Sequence, residues 1–90
     1  MPGDRGYRIE VAAAAARQFR KLEPAVQLRL SRKIDSLSSD PRPQGVTKLQ
    51  GKDNLYRIRD GDFRIIYAIE DRKLLILVLS VGNRRDIYRR

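Results

Sequence analysis

The spacing of apolar residues in the first half of the chain predicts two amphipathic helices. One stripe, spaced at i, i+4, i+8 and i+11, comprises Val11, Ala15, Phe19 and Leu22. A second stripe with the same spacing comprises Val26, Leu30, Ile34 and Leu37. Pro24 suits the first turn of the second helix, where its missing N–H costs nothing. Because little more than Glu23 separates the two helices, we expect them to fold back as an antiparallel hairpin.

The segments that flank this hairpin are short. Residues 1–6 are rich in Gly, Pro and charge and are predicted to be a flexible tail. Residues 7–11 alternate between apolar and polar side chains, which predicts a strand. Pro41 disfavours a helical residue before it, so the second helix should end near Ser39. Residues 41–47 are then predicted to form a loop.

The second half of the chain is predicted to consist of strands. The segments 55–60, 63–69 and 74–81 are separated by turn signals at 60–62 and 70–72. The third segment is almost continuously apolar, which is typical of a central strand covered on both faces. Gly82 and Asn83 are expected to end this strand, and residues 84–90 to form a short basic tail with a helical turn.

These elements predict a single α+β domain over residues 1–90. Their order is β-α-α-β-β-β with a short C-terminal helical tail. The helical hairpin should pack on one face of a mainly antiparallel sheet.

The composition excludes several kinds of site. The chain has no Cys and no His, so a disulfide, a thiolate metal site and the usual histidine base are all excluded. Its eleven acidic residues do not cluster, and we expect neither a metal nor a cofactor. No run of about 18 apolar residues predicts a membrane span, and no secretory leader pattern is present at the N-terminus. A cytoplasmic location is therefore expected.

The net charge points to an anionic partner. Twenty basic residues against eleven acidic ones give +9, and fifteen of the twenty are arginine. Arginine binds phosphate with two parallel hydrogen bonds and stacks on bases. The charge alone does not distinguish a nucleic acid from an acidic protein partner.

Strand periodicity gathers part of this charge on one face. In segment 55–60, Arg57 and Arg59 share a face, while Tyr56 and Ile58 should face the helices. Arg64 joins the two arginines if the hairpin register matches. Like charges on adjacent strands are unfavourable without an anion between them, so this trio suggests a phosphate site. The alternative is a set of solvated arginines.

The C-terminal tail adds a second candidate pair. If residues 84–88 form a helical turn, Arg84 and Tyr88 lie on one face at i and i+4. A tyrosine beside basic residues can stack on a base or take part in proton transfer. The alternative is that the Tyr88 ring packs against the edge of the sheet.

Four segments together resemble the RelE/ParE superfamily of bacterial toxins, and the RelE branch most closely. They are 48–51 (KLQG), 55–59 (LYRIR), 61–67 (GDFRIIY) and 79–88 (LSVGNRRDIY). The resemblance extends over the chain from Tyr7 onward and includes the order of elements. It implies a ribosome-dependent endoribonuclease that cuts mRNA in the ribosomal A site, and a cognate antitoxin, RelB-like or of another family.

The resemblance also implies which residues surround the scissile phosphate. The positions that match the family's site are Arg57, Arg59, Arg64, Arg84 and Tyr88. The two strand positions are lysines in the best-known member, and arginine can clamp a phosphate but is a poor proton shuttle. Lys48, Lys52 and Arg85 are secondary candidates for contacts to the 16S ribosomal RNA. The alternative for Lys48 and Lys52 is that they are ordinary lysines of a loop.

Two other functions fit parts of the same pattern. A ParE-like toxin with this fold would poison DNA gyrase through protein contacts, and it would not need the full basic set with a tyrosine. A non-catalytic nucleic-acid-binding module would keep the basic surface and a steep salt dependence but would tolerate the loss of Tyr88.

Overall fold

The computed structural model describes residues 6–51 and 53–83, which form two helices and five strands. The elements in chain order are β1 (Arg8–Val11), α1 (Ala13–Arg20), α2 (Pro24–Ser36), β2 (Thr47–Lys48), β3 (Leu55–Asp60), β4 (Phe63–Glu70) and β5 (Leu75–Asn83). A single 3₁₀ turn, Asp71–Lys73, joins β4 to β5. Pro24 opens α2, as its sequence position predicts.

The strands form one sheet in the order β1-β5-β4-β3-β2. β1 runs parallel to β5, and the other three pairs are antiparallel. The parallel pair joins the first strand to the last and needs a long connection, to which the helical hairpin contributes. The predicted α+β fold with a mainly antiparallel sheet is confirmed.

Both helices pack on one face of the sheet. The apolar stripes of α1 and α2 supply Ala15, Leu30 and Ile34 to the core, and all three are buried. The strands contribute alternate residues to the same core, namely Tyr56, Ile58, Ile65, Tyr67, Ile69, Ile76, Val78 and Val81. Within residues 6–51 and 53–83, no helix is both long and apolar enough to cross a membrane.

A tight turn fixes the register between β3 and β4. Asp60 pairs with Phe63, which leaves Gly61 and Asp62 as a two-residue loop. Gly61 has φ +63°, a left-handed conformation that glycine adopts without steric cost. The turn signal at 60–62 is thus confirmed, and the turn aligns β4 with the whole of β3.

Three features differ from the sequence-based predictions. Thr47 and Lys48 form the edge strand β2, whereas a loop was predicted through residue 47. β5 continues through Gly82 and Asn83, so the predicted break there is wrong: both residues pair with β4. β5 is also second from the edge rather than central. Its outward-facing residues, such as Leu77, are only half-buried rather than covered on both faces.

Candidate nucleic-acid interface

The β3–β4 register brings three arginines to the sheet face opposite the helices. Arg59 lies directly across from Arg64, and Arg57 lies across from Ile66 in the next row. The intervening residues Tyr56 and Ile58 are buried against the helices, so period-two alternation turns the arginines the other way. We call Arg57, Arg59 and Arg64 the arginine face.

The three arginines differ in depth. Arg59 is exposed, Arg57 is half-buried, and Arg64 is only 2% exposed. The Nε of Arg57 is buried and has no hydrogen-bond partner among the described residues. A buried donor without an acceptor is costly, and a shift of this side chain toward an anion on the open face would supply one. The arrangement therefore suits an anion that reaches from the surface inward.

Small and neutral residues complete the neighbourhood of the arginine face. Thr47 on β2 pairs with Arg57, and Ser80 on β5 pairs with Ile66 in the same row. Gly82 lies directly opposite Arg64 and has no side chain to compete for the space. The sequence reasoning missed these three positions because they follow from strand register, which single-strand alternation does not give.

Three carboxylates of the strands have partners outside the arginine face. The Asp60 carboxylate is turned toward the helices, where its Oδ1 lies 3.3 Å from Arg29 Nε. Glu70 is at the far end of β4 and accepts a hydrogen bond of 2.8 Å from the Asn54 amide. Glu10, on edge strand β1, is 3.2 Å from Arg8. The register neighbours of the arginine face thus carry no negative charge of their own.

Among the other predicted site residues, Lys48 falls within the described part of the chain, on the other side of the sheet from the arginine face. Lys48 pairs with Tyr56, whose ring faces the helices, so its register position is on the opposite side of the sheet. It borders a shallow depression formed with Leu49, Gln50, Gly51 and Asp53. Lys52, Arg84, Arg85 and Tyr88 lie outside the described residues.

A second polar cluster ties the α2–β2 loop to the sheet. Asp71 accepts hydrogen bonds from the Tyr7 hydroxyl at 2.6 Å and from Arg42 at 2.8 Å. The guanidinium of Arg42 also lies 5.2 Å from the Tyr56 ring centroid and donates to its hydroxyl. Hydrogen bonds from Arg42 and Tyr7 hold the pKa of Asp71 below its usual range. The same hydrogen bond to Asp71 raises the pKa of Tyr7.

The neighbouring Tyr67 anchors the start of that loop. Its hydroxyl donates a 2.7 Å hydrogen bond to the carbonyl oxygen of Pro41, and its ring stacks on Tyr56 with centroids 6.1 Å apart. Burial raises the pKa of Tyr67 to about 12. The cluster therefore holds β3 and β4 from the side opposite the arginine face.

Comparisons with known proteins agree on the family. The family described as ParE toxin of type II toxin–antitoxin system, parDE, matches residues 9–88. The mRNA interferase toxin RelE of Escherichia coli K12 is 31% identical over 86 residues, which cover 91% of this chain and 90% of that protein.

Solved structures agree as well. The toxin in the intact E. coli RelBE toxin–antitoxin complex superposes with a TM-score of 0.75 at 30% identity, covering 86% of this chain and 95% of that one. The archaeal RelE–RelB complex from Pyrococcus horikoshii gives a TM-score of 0.78 at 30% identity, with coverages of 88% and 96%. The resemblance found in the sequence is confirmed: this chain belongs to the RelE/ParE toxin family and is a RelE-like toxin of a toxin–antitoxin system.

Proposed function

We propose that this toxin is a ribosome-dependent endoribonuclease that cuts mRNA in the ribosomal A site. The observation that carries the proposal is the arginine face, where Arg64 is buried directly opposite exposed Arg59. Two cations facing each other are stabilised when a phosphate lies between them. The name of the E. coli relative, an mRNA interferase toxin, supports the same activity. Such an enzyme acts in the cytoplasm, where ribosomes translate.

The proposed reaction is attack of a ribose 2′-oxygen on the adjacent phosphorus. The P–O5′ bond breaks as the new P–O2′ bond forms, which gives a 2′,3′-cyclic phosphate and a 5′-hydroxyl. The 2′-OH proton passes to a base, and the departing 5′-oxygen takes its proton from solvent water. Arg57, Arg59 and Arg64 stabilise the charge that develops on the phosphorane.

The remaining roles fall to the C-terminal segment. Tyr88 is the proposed base, and a phenol with an ordinary pKa of about 10 needs neighbouring cations to act near neutral pH. Arg84 stabilises the leaving 5′-oxygen, because arginine keeps its charge and is a poor acid. The ribosome contributes by holding the mRNA in the in-line geometry for attack. Orientation of this kind can lower the activation free energy by up to about 10 kcal/mol. Lys48, Lys52 and Arg85 are proposed contacts to ribosomal RNA.

A cognate antitoxin is the proposed protein partner. The RelE proteins in the E. coli and P. horikoshii structures are in complexes with RelB antitoxins. For this chain, an acidic amphipathic segment would neutralise the arginine face, or a helix would displace the C-terminal segment.

Primer extension on a translated mRNA after induced expression tests the proposal. We expect new 5′ ends within codons in the reading frame, and growth arrest that the antitoxin reverses. Arg64→Ala and Tyr88→Phe should each abolish cleavage while leaving antitoxin binding intact. Arg32→Ala, an exposed arginine on α2, is the matched control and should remain toxic. Full cleavage by Tyr88→Phe would refute the assigned base.

The second candidate function is gyrase poisoning. The matched family is described by ParE rather than RelE, which favours this alternative at the level of the family. Intact mRNA together with stalled DNA replication after induction would identify a gyrase poison. Binding of RNA without cleavage, unaffected by Tyr88→Phe, would instead identify a non-catalytic binding module.

A further inference from the structure

The last strand of the sheet contains a β-bulge beside the arginine face. Ile66 pairs with Ser80 but the next residue, Tyr67, pairs with Val78, so Leu79 is an extra residue in β5. A bulge reverses the alternation of the strand beyond it. Val78 and Val81 are consequently both buried on the helix side although three positions separate them. Gly82 then lies opposite Arg64, on the open face.

A glutamine of α1 bonds the backbone just beyond this bulge. The Val81 N–H donates a 2.8 Å hydrogen bond to Gln18 Oε1. β1 pairs with β5 only as far as Val78, where the Ala12 N–H donates to the Val78 carbonyl oxygen and the chain then enters α1. Gln18 thus supplies to β5 the acceptor that β1 no longer provides.

We infer that Gln18 is a positioning residue for the arginine face. Its carboxamide satisfies the Val81 N–H and so holds the bulged register in which Gly82, rather than a side chain, lies across from Arg64. A slip that removed the bulge would turn Val81 toward the open face, because strand alternation has a period of two. Gln18 would then set how a bound phosphate meets Arg64 without touching RNA. The kinetic part of this inference rests on the proposed nuclease function.

The test compares three single variants. Gln18→Met keeps the length of the side chain but removes the acceptor, and Gln18→Glu keeps an acceptor oxygen. The control is Gln27→Met, because Gln27 on α2 also bonds backbone, donating 2.8 Å to the Leu22 carbonyl oxygen, far from the bulge. The first readout is amide hydrogen exchange at Val81 together with the NMR shifts of the Gly82 amide and the Arg64 Nε–H. The second readout is kcat and KM for cleavage of ribosome-bound mRNA.

We expect Gln18→Met to speed exchange at Val81 and to move the Gly82 and Arg64 signals. It should lower kcat by about tenfold to a hundredfold with little change in KM, as expected when a group near the reacting phosphate is misplaced. In Gln18→Glu and in Gln27→Met, both readouts should stay close to those of the unaltered toxin.

Two results would overturn the positioning role. One is unchanged Val81 exchange and Arg64 shift in Gln18→Met, and the other is an equal loss of kcat in Gln27→Met, which would indicate a general effect on the helical hairpin. If the unaltered toxin does not cut mRNA, the proposed nuclease function fails, and the NMR readout still decides whether Gln18 sets the register.

Discussion

Arg64 is the residue at which charge and burial conflict most in the described part of the chain. It is the one charged side chain there that falls among the buried residues, at 2% exposure. Burying a guanidinium is costly unless polar groups or anions surround it, so substituting Arg64 should disturb its surroundings more than substituting an exposed arginine would. Arg59 is exposed and directly opposite, which suits it to first contact with a polyanion.

At the same scale, strand alternation predicted that Arg57 and Arg59 share a face, but it left Arg64 dependent on the hairpin register and did not predict how deep each arginine lies. The side-chain pattern of β3 was enough to separate Arg57 and Arg59 from Tyr56 and Ile58. The burial of Arg64 depends on its cross-strand neighbours, and Gly82 reaches that position only through the bulge in β5. No local pattern in 74–81 indicates that bulge, because nearly every residue there is apolar.

The Asp71 carboxylate gives a prediction about pH. Its pKa is held below the usual range, so its contacts stabilise the fold above about pH 4 and that contribution is lost as the pH falls through the lowered pKa. Asp71→Asn should therefore lower Tm at pH 7. The difference in Tm between this variant and the unaltered protein should become smaller as the pH falls toward 2.

Thermal unfolding at several pH values measures this effect. The control is Glu10→Gln, which removes an exposed carboxylate whose partner Arg8 lies two residues away in the same strand. It should change Tm little at pH 7. A gap for Asp71→Asn that stays constant from pH 7 to pH 2 would contradict the assignment to ionised Asp71.

The helix α2 shows how a single element serves two environments. Leu30 lies on the inner face of α2 and is completely buried, whereas Leu28, two residues earlier, is 53% exposed. The stripe that predicted α2 from sequence contains Leu30 and omits Leu28, so the 3.6-residue period identified the buried face correctly. The two-residue strand β2 escaped prediction because a pairing that short leaves no periodic signal.

These two leucines give a matched prediction for stability. Leu30→Ala should lower the free energy of unfolding by about 2–5 kcal/mol, since it removes buried apolar atoms and leaves a cavity. Leu28→Ala makes the same chemical change at an exposed site and should change the free energy of unfolding by no more than about 0.5 kcal/mol. Urea unfolding monitored by circular dichroism measures both. Equal losses would show that α2 packs on the sheet through a different face.

For the whole molecule, the distribution of charge matters more than its total. The chain has a net charge of +9, and exposed arginines lie on the helices, such as Arg32, as well as on the sheet. If a polyanion recognised only the total charge, removing any one of these arginines would weaken its binding equally. If the polyanion binds along the arginine face, removing Arg59 would weaken binding far more than removing Arg32.

The salt dependence of RNA binding separates these two possibilities. With a short single-stranded RNA, Arg59→Gln should reduce the slope of log K against log salt by about 0.7, the value for one lost phosphate contact. Arg32→Gln removes the same charge on the other side of the sheet and should leave the slope nearly unchanged. Fluorescence anisotropy across a salt series measures the slopes. Equal reductions would favour diffuse attraction over a defined path.

The parallel pairing of β1 with β5 also constrains the order in which the fold is completed. The partner of β1 lies more than sixty residues later in the chain, at Leu75–Val78. Until those residues have been made, β1 has no neighbour in the sheet, and the helical hairpin lacks much of the surface it covers. Pairings this distant in sequence form slowly because the intervening chain loses entropy when its ends meet. The helices and the β3–β4 hairpin are local by comparison, so the docking of β1 on β5 should be the late step that converts a loosely associated chain into an active toxin.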